Sequence, residues 1–156
     1  MKLYSIRERP EYIPWMLQDL REHWPACMPW VKKHMKAVLA TKGPLPDAYI
    51  ALDHGQIVGG YTLAIQEILP GEGEGLWMPT LYMVPAFRGK HLSQELISHA
   101  RRRGWELGYD RLYLATEHTN YYEKYGFHTI GPETDAMDEP TRIFENTTLP
   151  PCPQAA

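Results

Sequence analysis

The sequence has few cysteines and no excess of positive charge, and each shortage excludes a class of protein. Cys27 and Cys152 are the two cysteines among 156 residues, too few for the disulfide framework of a small secreted domain. The formal net charge is -3 at pH 7, so no overall positive field attracts nucleic acid. We therefore expect a protein of a reducing compartment without a nucleic-acid partner.

Long apolar runs and metal-binding spacings are also missing. No stretch of about 18 apolar residues could span a bilayer. Charged residues such as Lys2 and Arg7 interrupt the N-terminal stretch, where a signal peptide would need an apolar core. The seven histidines are scattered, and no pair stands at zinc-ligand spacing beside a third ligand. The expectation is a cytoplasmic protein with no membrane segment and no metal.

What the sequence does contain is the material for one globular domain. Its residues are 44% hydrophobic and 22% charged, which is ordinary for a globular chain, and a chain of 156 residues usually forms one domain. We assign residues 1–149 to a single domain and expect a disordered tail over residues 150–156.

Patterns of apolar residues predict a mixed α/β order of elements. A double glycine, Gly59-Gly60, indicates a bulge or a close backbone approach inside one strand. Asn120 can cap a short helix that Gly126 ends. The expected helices begin after Pro10 and cover residues 30–39, 92–107 and 120–125. The expected strands cover residues 2–7, 48–52, 57–68, 76–84, 111–115, 127–130 and 142–148.

The most informative stretch is residues 81–93, where a predicted strand enters a glycine-containing turn and then a long helix. Such a turn presents unpaired backbone N–H groups at the positive end of the helix dipole, where a pyrophosphate can bind. Arg88 and Lys90 add mobile positive charge. A turn of this kind is also a common plain connection, so the pattern alone leaves both interpretations open.

The order of motifs around this turn resembles the acetyl-CoA-binding core of the GNAT family of N-acetyltransferases. In that family a strand ends in Val-x-Pro, a helix opens on Arg or Gln-x-x-Gly-x-Gly or Ala, and a later short helix reads roughly Tyr-Glu-Lys-x-Gly-Phe. Residues 122–127 match this last element throughout, Arg88-Gly89-Lys90 match the loop, and Pro85 stands at the motif proline.

Two positions depart from the family pattern. His91 stands at the first motif glycine and Ser93 at the second. Serine is small, whereas histidine brings a Cβ and a ring to a place where glycine leaves the backbone bare. His91 therefore either weakens cofactor binding or contacts a phosphate with its ring.

The resemblance implies a fold and a co-substrate. The implied fold is a mixed, mostly antiparallel sheet of about six or seven strands flanked by about four helices. The implied co-substrate is acetyl-CoA, whose pantetheine arm would lie against the strand before Pro85 like an added strand. The implied cofactor-binding residues are Tyr82, Met83, Val84, Arg88, Gly89, Lys90, His91, Leu92, Ser93 and Asn120.

The resemblance also implies that a neutral amine attacks the thioester directly and that a proton donor assists the departing thiolate. Tyr122 aligns with the family tyrosine that often serves as this general acid, and its aromatic neighbours leave a core role as the alternative. Glu67 and His118 are candidate bases, each alternatively a solvated surface residue. Removal of the amine proton through water is a third route.

The implied function is acetyl-CoA-dependent N-acetylation of an amine on a small molecule or a peptide. The alternative is a non-catalytic acyl-CoA-binding or sensor module with the same fold. The expected partners are acetyl-CoA and an unidentified amine acceptor, and a homodimer is left open. The run Arg101-Arg102-Arg103 is interpreted as a solvated helix face or as a contact for the adenosine 3′-phosphate.

Overall fold

The structure is a computed structural model that describes residues 1–116, 120–134 and 140–151. Within these ranges the chain forms three α-helices and eight β-strands. The helices are α1 (Ile13–His23), α2 (Met28–Ala40) and α3 (Leu92–Glu106). The strands are β1 (Lys2–Ser5), β2 (Asp47–Asp53), β3 (Gln56–Glu67), β4 (Glu74–Trp77), β5 (Leu81–Met83), β6 (Arg111–Thr116), β7 (His128–Thr134) and β8 (Pro140–Thr147).

The strands pair mostly antiparallel. Their hydrogen-bonded order is β1-β2-β3-β4-β6-β8-β7, with β5 paired to β3, and β4 runs parallel to β6. The expected mixed α/β class with a mostly antiparallel sheet is confirmed. No helix of the described residues is long and apolar enough to cross a membrane.

Packing divides the chain into two compact units, which are described separately. The N-terminal unit comprises Met1–Ala64 and Thr80–Leu96, and the C-terminal unit comprises Ile65–Pro79 and Ile97–Ala156. β3 and α3 each begin in the first unit and end in the second. The single domain over residues 1–149 stays a prediction, and most of the expected tail lies outside the described residues.

The core of the N-terminal unit lies between α1, α2 and β2. Met16 and Leu20 share one face of α1, and Val31, Met35 and Val38 share one face of α2, all of them buried. This spacing of three to four residues is what an α-helix needs to bury one stripe of apolar side chains. Pro14 and Pro29 lie in the first turns of the two helices, where the missing N–H costs no helical bond.

The double glycine in β3 allows two neighbouring strands to approach its backbone. A Cβ added at Gly59 would lie 2.5 Å from the Tyr82 carbonyl oxygen, and one added at Gly60 would lie 2.6 Å from that of Tyr49. The pairing of β2 with β3 also shifts register between Ala51 and Leu52, opposite this point. Both features expected of the glycine pair, a bulge and a close approach, are therefore present.

The strand expected over residues 76–84 is wrong as a single element. The chain forms β4, then β5, with a break over residues 78–80. At the first residue of the break, the Met78 N–H donates to the Tyr113 carbonyl in the C-terminal unit over 2.8 Å. At its last residue, the Thr80 carbonyl accepts the Thr62 N–H in the N-terminal unit over 3.1 Å. Pro79 lies between them and has no N–H with which to continue a ladder.

The C-terminal unit is built around β6 and β8. Leu112, Leu114 and Phe144 on these strands are buried. In the part of α3 within this unit, Gly104 makes room for close packing, because an added Cβ would lie 2.9 Å from Leu76 and 2.8 Å from Thr148.

The basic run on α3 is partly engaged within the C-terminal unit. Arg101 donates through Nε to the Thr147 carbonyl over 2.7 Å, and Arg103 pairs with Glu106 over 3.1 Å. Arg102 is exposed. Two of the three side chains thus have protein partners, and the exposed Arg102 is consistent with the expected solvated face.

Replacement of Gly60 by alanine tests the close approach in β3. The new Cβ would meet the Tyr49 carbonyl oxygen at 2.6 Å and the Tyr82 ring at 3.0 Å, so we expect Gly60→Ala to lower the free energy of unfolding by about 1–3 kcal/mol. Gly131 in β7 is the matched control, since a Cβ there meets no heavy atom within 4 Å. Urea unfolding of both variants measures the difference, and equal stabilities would contradict the assigned packing.

Candidate active site

The candidate acyl-donor site in the N-terminal unit begins at the edge of β5. Alternate residue pairs of an antiparallel ladder exchange hydrogen bonds. The Thr62–Thr80 pair and the Val58–Val84 pair are bonded, so Tyr82, paired with Gly60, also directs its backbone groups toward β3.

Leu81 and Met83 lie between these bonded pairs, so their backbone N–H and C=O groups point away from β3. Among the described strands, β3 is the one that pairs with β5. An extended chain of amide groups can add to such an edge. The expectation named Tyr82, Met83 and Val84, whereas strand alternation identifies Leu81 and Met83 as the residues with outward backbone groups.

Arg88 uses one of these outward groups. Its Nε donates to the Met83 carbonyl over 3.2 Å, and the side chain is exposed. The bond fixes the Arg88 guanidinium beside the open edge of β5. The positive charge is therefore held where strand, loop and helix meet.

Two residues of the loop after β5 have backbone conformations that favour glycine. A short 3-10 turn over Pro85–Phe87 leads into Gly89, with φ of 79°, and His91, with φ of 59°. α3 starts immediately afterwards at Leu92. The first N–H groups of a helix have no acceptor within the helix, so a loop that leads into a helix start is the kind of arrangement that can bind an anion. Ser93 in the first turn of α3 is buried.

His91 has a left-handed backbone conformation, which suits the glycine of the motif that this loop resembles better than it suits histidine. A residue with a Cβ is disfavoured in this conformation by about 1–2 kcal/mol. The His91 side chain is exposed, and it stands at the entrance of α3 beside exposed Lys90, whose Nζ lies 5.4 Å from the centre of the Phe87 ring. The departure from the motif thus carries a backbone energy cost in the loop.

The Tyr82 side chain lies on the helix-facing side of β5. Its hydroxyl is buried and has no hydrogen-bond partner among the described residues. It borders a small cavity of about 10 Å³ that is also lined by Met16, Leu20 and Met35, which is at the lower limit for holding one water molecule. Burial raises the pKa of Tyr82, and the nearby Asp19 carboxylate raises it further, so the phenol stays neutral.

Tyr122 belongs to the C-terminal unit, where it precedes a 3-10 turn over Glu123–Tyr125. Its ring packs edge-on against Tyr121 at 4.9 Å and Phe127 at 5.9 Å between centres. Burial raises the pKa of Tyr122, and the neighbouring tyrosines Tyr121 and Tyr125 raise it further. The phenol therefore keeps its proton throughout the neutral range, which a hydrogen-bond donor requires.

The capping expected of Asn120 is wrong. The residue that precedes the turn is Tyr122, and the turn has no side-chain capping hydrogen bond. Asn120 lies two residues earlier, exposed, with a left-handed φ of 60°. A cap must be the residue that immediately precedes the first helical residue, and the turn begins later than the spacing suggested.

The two candidate bases are placed differently. Glu67 is exposed at the end of β3, and its carboxylate accepts the Gly71 N–H over 3.0 Å, which holds the β3–β4 loop. His118 lies outside the described residues. No group of three histidine, cysteine or acidic side chains that could hold a metal occurs in the described part of the chain.

The predicted cofactor residues from Tyr82 to Ser93 thus form one continuous edge, loop and helix start within the N-terminal unit. Glu67, Asn120 and Tyr122 belong to the C-terminal unit. Leu81 was missed from the sequence. The alternation of the strand would have identified it once its pairing with β3 was known.

Sequence comparison decides the family. A model of the acetyltransferase (GNAT) family matches residues 4–127, a range that includes β5, the loop, α3 and the Tyr122 turn. The chain belongs to the GNAT family. The resemblance and the expected class of enzyme, an acetyltransferase, are confirmed. A search of curated proteins finds no match.

Solved structures share the fold of this GNAT chain. The aminoglycoside 6'-N-acetyltransferase from Enterococcus faecium has a TM-score of 0.73 at 19% identity, over 98% of this chain and 100% of that one. An aminoglycoside 6'-N-acetyltransferase complexed with coenzyme A has a TM-score of 0.74 at 20% identity, over the same shares. The IAA acetyltransferase from Bacillus cereus has a TM-score of 0.66 at 17% identity, over 94% and 98%.

Two substitutions at Gly89 separate charge from backbone strain in the loop. Alanine and aspartate both acquire a Cβ at a φ of 79°, and neither Cβ meets a heavy atom within 4 Å. Aspartate alone adds a carboxylate beside the expected phosphates. We expect Gly89→Asp to weaken coenzyme A binding about tenfold more than Gly89→Ala, or ~1.4 kcal/mol.

The measurement is the dissociation constant of coenzyme A at low and at high ionic strength. The excess effect of aspartate is expected to shrink at high salt, because exposed charges are screened. Equal affinities for the two variants at low salt would show that the pyrophosphate binds elsewhere.

Proposed function

We propose that the protein is an acetyl-CoA-dependent N-acetyltransferase that transfers the acetyl group directly to an amine of a small molecule or a peptide. The observation that carries the proposal is the continuity of three features in a GNAT chain: the outward edge of β5, the loop at residues 88–91 and the first turn of α3. Together they offer an amide-binding edge and an anion-binding turn in the order that acetyl-CoA needs.

The donor binds through backbone groups in this proposal. The amides of the pantetheine arm pair with the outward groups of Leu81 and with the Met83 N–H, as an added strand would. The pyrophosphate accepts hydrogen bonds from N–H groups between Gly89 and Ser93, where the helix dipole favours negative charge. Arg88, whose Nε is already bonded to the Met83 carbonyl, and Lys90 neutralise the remaining charge.

The transfer itself is a nucleophilic substitution at the thioester carbonyl. The neutral amine nitrogen forms the new C–N bond, the C–S bond breaks, and the thiolate of coenzyme A departs. The nitrogen loses one proton to water, and the departed thiolate takes one from solvent on becoming a thiol. Since Glu67 is exposed and already holds the β3–β4 loop, water remains the simplest path for the amine proton.

Tyr122 assists the departing thiolate as a hydrogen-bond donor. A thiol of cysteine type has a pKa of about 8.5 and a tyrosine about 10, and burial raises the pKa of Tyr122 further. Full transfer of the phenolic proton to the thiolate is therefore uphill. A donated hydrogen bond to the developing negative charge stabilises the transition state without that transfer.

The similar structures indicate which acceptors to test first. Two of the similar structures described above are aminoglycoside 6'-N-acetyltransferases, which supports amino sugars as the first amines to test. Exposed aromatic residues on α1 and α2, namely Trp15 and Trp30, are candidates for stacking on a ring of the acceptor. A cytoplasmic location and a homodimer remain parts of the proposal that rest on sequence composition and family resemblance.

Thiol release tests the enzymatic proposal against the non-catalytic alternative. We expect free thiol to appear when the protein meets acetyl-CoA and a panel of aminoglycosides, polyamines, amino acids and peptides. The unfolding free energy is expected to rise with acetyl-CoA, by about 2.7 kcal/mol at a hundredfold excess over the dissociation constant. Stabilisation without thiol release for any amine would favour the binding module, and the absence of both would contradict the proposal.

Replacement of Tyr122 by phenylalanine tests its role. Tyr122→Phe removes the hydroxyl and leaves the edge-on ring contacts, so we expect kcat at pH 7 to fall about 10²-fold while the melting temperature barely changes. Because burial raises the pKa of Tyr122 and the phenol donates a hydrogen bond without releasing its proton, the fold loss is expected to be the same at pH 7 and at pH 9. The measurement is the pH profile of kcat for both proteins.

Tyr125 provides the control, because it lies in the same turn and its ring also packs against Tyr121. Tyr125→Phe is expected to keep full turnover. If Tyr122→Phe also keeps full turnover at pH 7, or loses turnover and stability together, Tyr122 is a packing residue and not the donor.

A further inference from the structure

Asn146 on β8 connects the Tyr122 turn to the sheet of the C-terminal unit. The side chain is 6% exposed, and its Nδ2 donates to the Tyr125 carbonyl over 3.0 Å. Its Oδ1 accepts the Thr147 N–H over 2.8 Å. Because both ends of the amide are engaged, its orientation is determined.

The turn that Asn146 contacts is organised around the Tyr122 carbonyl. The Tyr125 N–H donates to this oxygen over 3.0 Å, and the Phe127 N–H donates over 3.3 Å. Gly126 completes the turn with a φ of 92°, and a Cβ there would lie 3.1 Å from Asn146 Nδ2. The amide of Asn146 therefore lies closely against the backbone that fixes the position of Tyr122.

The strand that carries Asn146 is well anchored. β8 pairs with β6 on one side and with β7 on the other, and Asn146 itself lies opposite Leu112. The Tyr122 ring contacts Phe127 at 5.9 Å and Phe144 at 6.4 Å between centres. Such contacts are not directional enough to fix the position of the phenol hydroxyl. A hydrogen bond from a rigid strand to the turn supplies that restraint.

We infer that Asn146 is a positioning residue for the Tyr122 phenol, which it holds in place on the C-terminal unit through its bond to the Tyr125 carbonyl. The inference rests on the proposed function, in which Tyr122 donates to the departing thiolate. A displacement of a reacting group by about 1 Å can lower the rate by about 10²-fold. Asn146 acts through Tyr122 and touches neither substrate nor cofactor in this assignment.

The primary test is Asn146→Asp, which has the same shape and keeps the acceptor for the Thr147 N–H but loses the donor to Tyr125. With acetyl-CoA and the best amine of the panel, we expect kcat to fall about tenfold or more, with little change in the KM for acetyl-CoA. Asn146→Ser is the second variant. It also lacks a donor long enough to replace Nδ2 and carries no charge, so agreement between the two excludes an effect of the new carboxylate.

Thr148, two residues after Asn146, provides a matched control. Thr148 is also 6% exposed, and its hydroxyl donates to the Tyr109 carbonyl over 2.6 Å, in a loop far along the chain from Tyr122. Thr148→Val removes this bond with little change of shape. We expect it to lower stability as Asn146→Asp does and to leave kcat unchanged.

The deciding measurement is the effect of Asn146→Asp in a Tyr122→Phe background. If Asn146 acts through the phenol, the second substitution changes kcat little once the phenol is gone. An equal loss of kcat in both backgrounds, or a loss shared by Thr148→Val, would overturn the inference. The inference would also be overturned if Asn146→Asp and Asn146→Ser both kept their kcat while Tyr122→Phe lost turnover.

A different outcome identifies a failure of the proposed function. If Tyr122→Phe alone keeps full turnover, the donor role of Tyr122 is wrong and the inference falls with it. The single variants therefore distinguish a wrong donor from a wrong positioning residue.

Discussion

The outward edge of β5 is the constraint on which the rest of the site depends. Backbone N–H and C=O groups are strong hydrogen-bonding groups that are costly to leave unpaired away from water. In β5 the backbone groups of Tyr82 point toward β3, whereas those of Leu81 and Met83, whose register partners are also on β3, point outward. The break at Pro79 makes this possible, because the segment before it pairs with β6 and the segment after it pairs with β3.

The loop that follows the edge contains two residues with left-handed backbone conformations. Gly89 and His91 both have left-handed backbones, and for His91 this conformation carries an energetic cost that glycine would avoid. Local strain of this kind persists when the surrounding structure determines it. Here the 3-10 turn before the loop and the start of α3 after it set the path, so the chain keeps the turn even with an unfavourable residue.

The aromatic surroundings of Tyr122 suit a donor that must remain protonated. Burial raises its pKa and so favours the neutral phenol, whereas a group that had to release its proton fully would need a lower pKa. The same burial makes position important, since a half-buried phenol cannot rearrange freely to follow its acceptor. The bond from Asn146 to the turn fits this requirement.

Local patterns in the chain were enough to predict the family, the loop and the main helices. α3 was expected over residues 92–107 and is observed at Leu92–Glu106, and α2 was expected over residues 30–39 and is observed at Met28–Ala40. Helical periodicity and the motif at residues 122–127 depend on neighbours in the chain, which a sequence displays directly. The same motif identifies Tyr122 as a candidate donor without any knowledge of its tertiary contacts.

Three features depend on tertiary contacts: which backbone groups face outward, where the strand breaks and what holds the Tyr122 turn. Leu81 was missed, and Asn120 was assigned a cap that it does not form. Asn146 belongs to no local motif, because its partner Tyr125 is distant in sequence. The direction of a strand's hydrogen bonds is set by the strand it pairs with. The role of a buried side-chain amide depends on which carbonyl accepts its hydrogen bond. Both are properties of contacts between distant segments, which no local pattern encodes.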